Sequence, residues 1–375
     1  MNSHQYHNFT MGRRKTGLIF NNPQLSAGGY TLFAPQTSNG RVYLIDEQGE
    51  VAHEWQLPVR AGRDAVILPN GNLGYNGSHN TSANLYPAWD IWHGGDFYEV
   101  TPDNEIVWHY EDIYHHHDAQ WLENGNLLYT AASPLPADIA SRVVGGDPRK
   151  DGADGIIQSD IVKEVNRQGE VVWEWKVWEH LDPQDFPIHD IFDRRHWPMI
   201  NGLSETKDGL VLMSLRTTSG VIAVSKTTGE VVWHVGPDIV AQQHTPIELE
   251  NGNVLVFDNG NLRKGSTSPY STALEFNPQT KTVEWLYKDS FPSAFFSPFM
   301  GSAQRLENGN TFICESAFGR LFEVTSQGEI VWEYVIPYFN EYPKSLEHII
   351  PGKHNSLFRA HRYSKQQFPW LNVNN

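Results

Sequence analysis

The chain predicts an all-β fold: a six-bladed β-propeller of four-stranded antiparallel blades, with long loops over one mouth of its central channel. Three observations predict it. The half-line Leu-Glu/Pro-Asn-Gly-Asn followed by apolar residues stands at 68–75, 122–129, 249–256 and 306–313, with ETKDGLVL at 205–212 as a degenerate copy. A second half-line carries a tryptophan, at Trp55, Trp108, Trp173, Trp233, Trp285 and Trp332, with spacings from 47 residues (Trp285 to Trp332) to 65 (Trp108 to Trp173). Repetition on that scale means a propeller or array. Each unit also reads as two hairpins, and a four-stranded unit cannot cover both of its faces alone, so copies must stack radially.

The elements follow in order. In each unit an Asn-Gly supplies the positive φ of a tight turn between the first two strands. The second hairpin turns at Gln-Gly, Thr-Gly or Asp-Asn, as in VNRQGEVVWEW (165–175). Valine, isoleucine, tyrosine and tryptophan fill the runs between turns, as half-buried strands prefer. Six such units occupy the chain from about Gly17 to Arg362. The expected organisation is a flexible segment over 1–16, one propeller domain over 17–365 and a tail over 366–375. The segment 349–363 is either an extra strand pair or the closure of the ring, and five or seven blades hang on that choice.

Composition narrows the function classes. There are 28 basic and 44 acidic residues, a formal net charge of −16. That balance argues against nucleic acid as a partner, while leaving room for a local positive site. A single cysteine, Cys314, excludes an internal disulfide framework and reads as a small buried hydrophobe. No apolar run is long enough for a signal peptide or a membrane span, so a cytoplasmic protein without a membrane partner is expected. Oligomerisation is left open. Three links are long: 76–95, 130–161 and 178–201. Links of this length within a compact repeat are expected to act as lids or specificity walls.

The turn glycines serve as a ruler along the innermost strand of each blade. Eight positions back from them stand Arg63, His117, Asn201, His244 and Gly301; ten back stand Ala61, His115, Met199, Gln242 and Phe299. Strand residues alternate faces, so both sets are expected to look into the channel. Arg216, which ends an apolar strand, needs an anionic partner, either an internal carboxylate such as Asp118 or Asp258 or a bound anion. Imidazoles and guanidiniums around one channel suit attack on an oxyanion centre, with one neutral imidazole as nucleophile. They equally suit removal of a proton beside a carboxylate that arginine neutralises. A metal is not expected: adjacent residues of the run His115-His116-His117-Asp118 should face opposite ways, and zinc wants three or four convergent ligands.

The segments HHDAQWLENGNLLY (116–129), 199–236, QHTPIELENGNVLVFDNG (243–260) and 301–334 resemble those of the arylsulfotransferase family, bacterial aryl-sulfate sulfotransferases of six-bladed propeller fold. The resemblance covers roughly residues 60–335. It implies a histidine that takes the sulfuryl group from an aryl sulfate and passes it to a phenolic acceptor, in a ping-pong cycle without cofactor. It places that role on His244, with His117 and Arg216 holding the sulfuryl oxygens. Arg63, His115, His196, Asn201, Gln242 and Asn259 are expected to bind a small anionic substrate. One departure stands out: where the family has a second acid/base histidine, this chain has Met199, and His196 reaches the site only if the backbone bends at Pro198. Two readings of other classes remain beside it. One is a carbon–oxygen lyase on an acidic sugar, as in ulvan-cleaving propellers, with His93 or His117 as base and Arg216 as carboxylate neutraliser. The other is a non-catalytic binding scaffold.

Overall fold

A computed structural model describes residues 14–374 apart from Ser82, Pro87 and Lys264. The segment expected to be flexible therefore lies almost wholly outside the described residues. Six small antiparallel sheets form the ring. Blade 2 runs from the inner strand Ala61–Ile67 to Ile106–Glu111, blade 3 from His115–Trp121 to Val171–Lys176, and blade 4 from Ile200–Glu205 to Val231–Val235. Blade 5 runs from His244–Glu248 to Thr282–Tyr287, and blade 6 from Ser302–Arg305 to Ile330–Val335. Blade 1 is made from both ends of the chain. Its inner strand is Leu357–Tyr363, paired with Tyr30–Pro35, so the C-terminal segment closes the ring. The strand Gly17–Asn21 adds a fifth, outermost strand to blade 6. The segment after Leu357–Tyr363 packs back, with Phe368 fully buried against Tyr30 and Tyr363 in edge-to-face contacts.

The repeated sequence has a physical cause. Gly71, Gly125, Gly209, Gly252 and Gly309 all take φ between +75° and +85°, which a side chain would strain. The loop is longer than a two-residue turn: Leu68 N–H bonds to Asn72 O and Gly71 N–H to Leu68 O, the three-residue form with a glycine bulge. Both asparagines of the motif then clamp one glutamate from the third strand of their blade. Asn70 and Asn72 donate to Glu99, Asn124 and Asn126 to Glu164, and Asn251 and Asn253 to Glu275. The degenerate copy at 205–212 has Asp208 for the first asparagine, and Ala223 stands at the matching third-strand position.

The tryptophans latch neighbouring blades. Indole N–H groups of Trp55, Trp108, Trp173, Trp285 and Trp332 donate to the carbonyls of Thr101, Arg167, Lys226, Ser326 and Glu47, each on the next blade round. Each bond is worth about 1 kcal/mol net, and Trp332 to Glu47 bridges the seam between blades 6 and 1. Among the described residues no helix is long and apolar enough to cross a membrane.

Candidate active site

The inner strands start irregularly, and that irregularity builds the site. His117, Met199, Gln242, Thr245 and Met300 all have φ between +52° and +61°. The inner-strand pairings of blades 3 to 5 each shift register near these residues. A residue in this conformation breaks the alternation of faces. The consequence is clearest at His116 and His117. They were expected on opposite faces, yet their Nδ1 atoms lie 2.8 Å apart.

His244 is buried and held at both ring nitrogens. Its Nδ1 is 2.7 Å from Asn259 Oδ1, and the Asn259 amide nitrogen donates to the carbonyls of Ser297 and Met300. Those two bonds settle which end of the amide faces the ring, so His244 carries its proton on Nδ1. Its Nε2 keeps the lone pair and accepts the Met300 N–H at 3.2 Å, a long bond. Burial pushes the His244 pKa down to about 3, with the guanidiniums of Arg216, Arg359 and Arg63 acting in the same sense and Asn259 against it. The ring is therefore neutral at physiological pH.

A line of polar side chains in close contact leads away from His117. His116 Nε2 and His196 Nε2 both lie 3.0 Å from Asp160 Oδ1, and His196 Nδ1 meets the Tyr86 hydroxyl at 3.1 Å. Burial pushes His116 down to about 4. It would raise Asp160, but the His196 and His116 rings hold that carboxyl well below the usual range. His117 is pushed down by burial and then by His116, Arg63 and His244, which puts it within electrostatic reach of the other two.

Arg216 has neither of the carboxylate partners foreseen for it. Asp118 pairs with Arg359 at 2.6 Å, and Asp258 pairs with Arg263 at 2.7 Å. Among the described residues no carboxylate lies within 4 Å of Arg216; it stacks on Phe192, 4.9 Å from the ring centre. Burial lowers its pKa to about 10, with Tyr86 and Asp193 opposing. It faces a cavity of about 550 Å³ lined also by Tyr86, Lys150, Phe192, His196 and Met199. Those residues come from all three long links, so the insertions do wall one mouth. The Trp197–Pro198 peptide is cis, and His196 lines the same cavity as Met199.

Other expected residues do different work. His115 spends both ring nitrogens inside the ring wall, 2.7 Å from Thr130 O and 2.9 Å from Asn76 Nδ2, and packs on Phe97. It is a structural residue, because its side chain leaves the channel where the backbone of His117 turns. Asn201 donates to Gln243 O and Gln242 to Ser219 Oγ, bracing blades 4 and 5, while Asn201 Oδ1 and Gln242 Oε1 are buried with no hydrogen-bond partner among the described residues. Arg63 donates to Ile91 O at 2.5 Å and stacks on Phe358, 5.3 Å away. Its pKa is lowered to about 9 by burial and by Arg60. His93 lies between the Ser78 hydroxyl, 3.3 Å from its Nε2, and Gly94 O, 3.1 Å from its Nδ1. Cys314 is buried, its thiol pushed up to about 12 by burial.

Arg359, Asp160, His116 and Tyr86 escaped the ruler. Arg359 is the third residue of its inner strand, as Arg63 and His117 are of theirs, but no Asn-Gly follows it. A count of the closing strand as a blade element finds it.

The chain matches the arylsulfotransferase (ASST) family over residues 70–336, most of its length. The chain belongs to that family. Sulfuryl transfer in a general sense is the activity this membership supports. Among curated proteins none matches it. Of solved structures, a protein of unknown function from Bacteroides caccae is similar at 16% identity and a TM-score of 0.54, covering 82% of this chain and 94% of that one. A streptogramin B lyase is similar at 10% identity and a TM-score of 0.47, with 88% of each chain covered. At such identities the likeness to the Bacteroides protein speaks for the fold alone. In this family member the guanidiniums of Arg216, Arg359 and Arg63 all act through their charge on a neutral imidazole within an otherwise acidic protein, and arginine is the side chain suited to a tetrahedral oxyanion.

Proposed function

We propose that the chain is a sulfuryl-transferring enzyme that works through a covalent histidine, His244, in two half-reactions. The observation that carries this reading is the Asn259 amide: it fixes the proton of His244 on Nδ1 and so presents Nε2 as an unprotonated nitrogen. In the first half-reaction Nε2 leaves the long Met300 N–H bond and attacks the sulfur of an aryl sulfate. The N–S bond forms, the S–O bond to the aryl group breaks, and a phenolate departs. Arg216 and Arg63 neutralise the sulfuryl oxygens, as fixed charges in a buried site do most effectively. In the second half-reaction an acceptor phenol, having given its proton to the departed phenolate or to solvent, attacks sulfur as the phenolate, the N–S bond breaks and His244 returns neutral with its proton still on Nδ1.

His117 holds a sulfuryl oxygen as a donor, which requires its proton on Nε2 and an Nδ1–H on His116 between them. Met199 stands where an acid would serve the leaving phenolate, so donors with acidic phenols are the expected substrates. The test is intact-mass measurement after mixing with p-nitrophenyl sulfate. One added SO3 on His244, lost in His244→Asn, with p-nitrophenol release accelerated by a phenol acceptor, supports the reading. Turnover without an adduct and indifferent to His244 overturns it. Ultraviolet absorbance from an unsaturated product of an acidic oligosaccharide would turn the assignment to a lyase.

A further inference from the structure

His116, Asp160 and His196 come from the inner strand of blade 3, the third strand of that blade and the link before blade 4. Their ligand-type atoms all lie within 4.8 Å of one another, and the three side chains are at most 1% exposed. A plain hydrogen-bonded triad does not account for the contacts. Asp160 Oδ2 has no hydrogen-bond partner, and His116 Nε2, though 3.0 Å from Oδ1, is not aligned to donate to it. A buried polar atom left so costs about 1–3 kcal/mol, more when charged. His116 alone shows this misalignment, as a ring whose lone pair is aimed at a third body would; His196 Nε2 is aligned with Asp160 Oδ1, which also accepts the Ile200 N–H.

The far nitrogens of both rings point the same way. His116 Nδ1 is engaged by His117 and His196 Nδ1 by the Tyr86 hydroxyl. Outer partners of this kind orient the imidazoles of metal sites. We infer that His116, Asp160 and His196 bind a divalent transition-metal cation, with Zn²⁺ the ion that two imidazoles and one carboxylate suit best. Ligand atoms around tetrahedral zinc stand about 3.3 Å apart, so separations of 3.0 Å need little movement to admit the ion. Three protein ligands leave a fourth position for water or a substrate oxygen.

Metal binding has one consequence for the histidines, and this part rests on the sulfuryl-transfer reading. An ion on His116 Nε2 requires the His116 proton on Nδ1, directed at His117 Nδ1. His117 then carries its own proton on Nε2, the tautomer needed to hold a sulfuryl oxygen.

The experiment uses the full chain, stripped with chelator and titrated with Zn²⁺ and with Co²⁺. One equivalent should bind, with the visible absorption of low-coordinate Co²⁺ and a rise in Tm. Asp160→Asn and His196→Gln should weaken binding at least ~10-fold. His109→Gln, at the grouping of buried Asp96 with exposed His109 and Glu111, should leave it unchanged. A wild type that takes up no ion, or binding undiminished in both ligand variants, overturns the proposal, as does loss of binding in His109→Gln. If the ligand variants fail to fold, X-ray absorption of the Co²⁺-loaded wild type decides, two imidazole ligands supporting the site and any other set rejecting it. The His244 adduct is measured separately. An ion without an adduct defeats only the transfer reading, and an adduct in a protein that binds no ion defeats only this one.

Discussion

Arg359 reaches from blade 1 to set its Nη2 2.6 Å from Oδ2 of Asp118 on blade 3, and the same oxygen accepts the Leu203 N–H of blade 4. With Asp64 of blade 2 3.4 Å from Arg359 Nε, one guanidinium ties the inner strands of blades 1, 2 and 3. The cluster forms part of the wall of a second cavity of about 320 Å³, at the turn end of the channel. Burial already raises Asp118 above the usual carboxylate range, and Arg359 is the first charge that opposes it.

Arg359→Leu therefore leaves a buried carboxylate without its counter-ion. Urea unfolding should show a loss of about 3–5 kcal/mol, and Arg359→Leu with Asp118→Leu should recover part of it. A single variant that loses under about 1 kcal/mol would mean that water already reaches Asp118.

Asn259→Leu removes the group that orients His244 while keeping its volume. Fixing the wrong tautomer of a catalytic imidazole costs about four orders of magnitude in a serine protease. The expected loss here is about two to four orders in p-nitrophenol release, with adduct formation slowed in proportion. An unchanged rate of adduct formation would show that Nε2 needs no such partner.

The pH dependence has a definite sign. His244 and His93 have folded pKa values pushed down to about 3 and about 4, chiefly by burial. Their unfolded counterparts titrate near 6.5. Below that pH the unfolded chain takes up protons that the folded one refuses. Stability then falls as pH drops from about 6.5 towards 3–4, by up to ~1.4 kcal/mol per pH unit for each such group. Urea midpoints at pH 7, 5.5 and 4.5 measure it, and His93→Gln should flatten part of the slope. The His244 step itself should show no acid limb between pH 5 and 7; a limb near 6.5 that vanishes in His244→Asn contradicts the buried neutral ring.

Met199→His puts an imidazole into the cavity that His196 and Arg216 line. Positioned acids contribute about 10²–10⁴-fold, and an unoptimised one should yield about tenfold. The gain should be confined to sulfates of weakly acidic phenols, whose leaving groups need a proton most. A series of substituted phenyl sulfates measures it as a shallower dependence of rate on phenol pKa. An equal gain across the series would point to packing instead of proton transfer.

Much of this was legible because the repeat is written in residues with single physical jobs. Asn-Gly-Asn marks the first turn of a blade and clamps its glutamate, and tryptophan marks the fourth strand and latches the next blade. His244 and His117 were legible because a fixed distance from the turn glycine measures depth along the channel. The hydrogen bonds of His115, Asn201 and Gln242 to neighbouring groups were not legible, for one reason. The ruler assumed regular strands, and the inner strands begin at residues of positive φ that turn side chains out of the expected face.

By itself the sequence determined the ring and its blade count once the last strand is placed, since local turn chemistry and strand periodicity act over a few residues. Only tertiary structure decided that Arg359 pairs with Asp118 and Asp64 and that, among the described residues, Arg216 has no carboxylate within 4 Å. The same holds for the meeting of His116, Asp160 and His196. Those relations join residues 36 to 241 positions apart, between His196 and Asp160 and between Arg359 and Asp118. Such contacts arise when blades close around an axis and buried charges must find partners, and no local pattern records them.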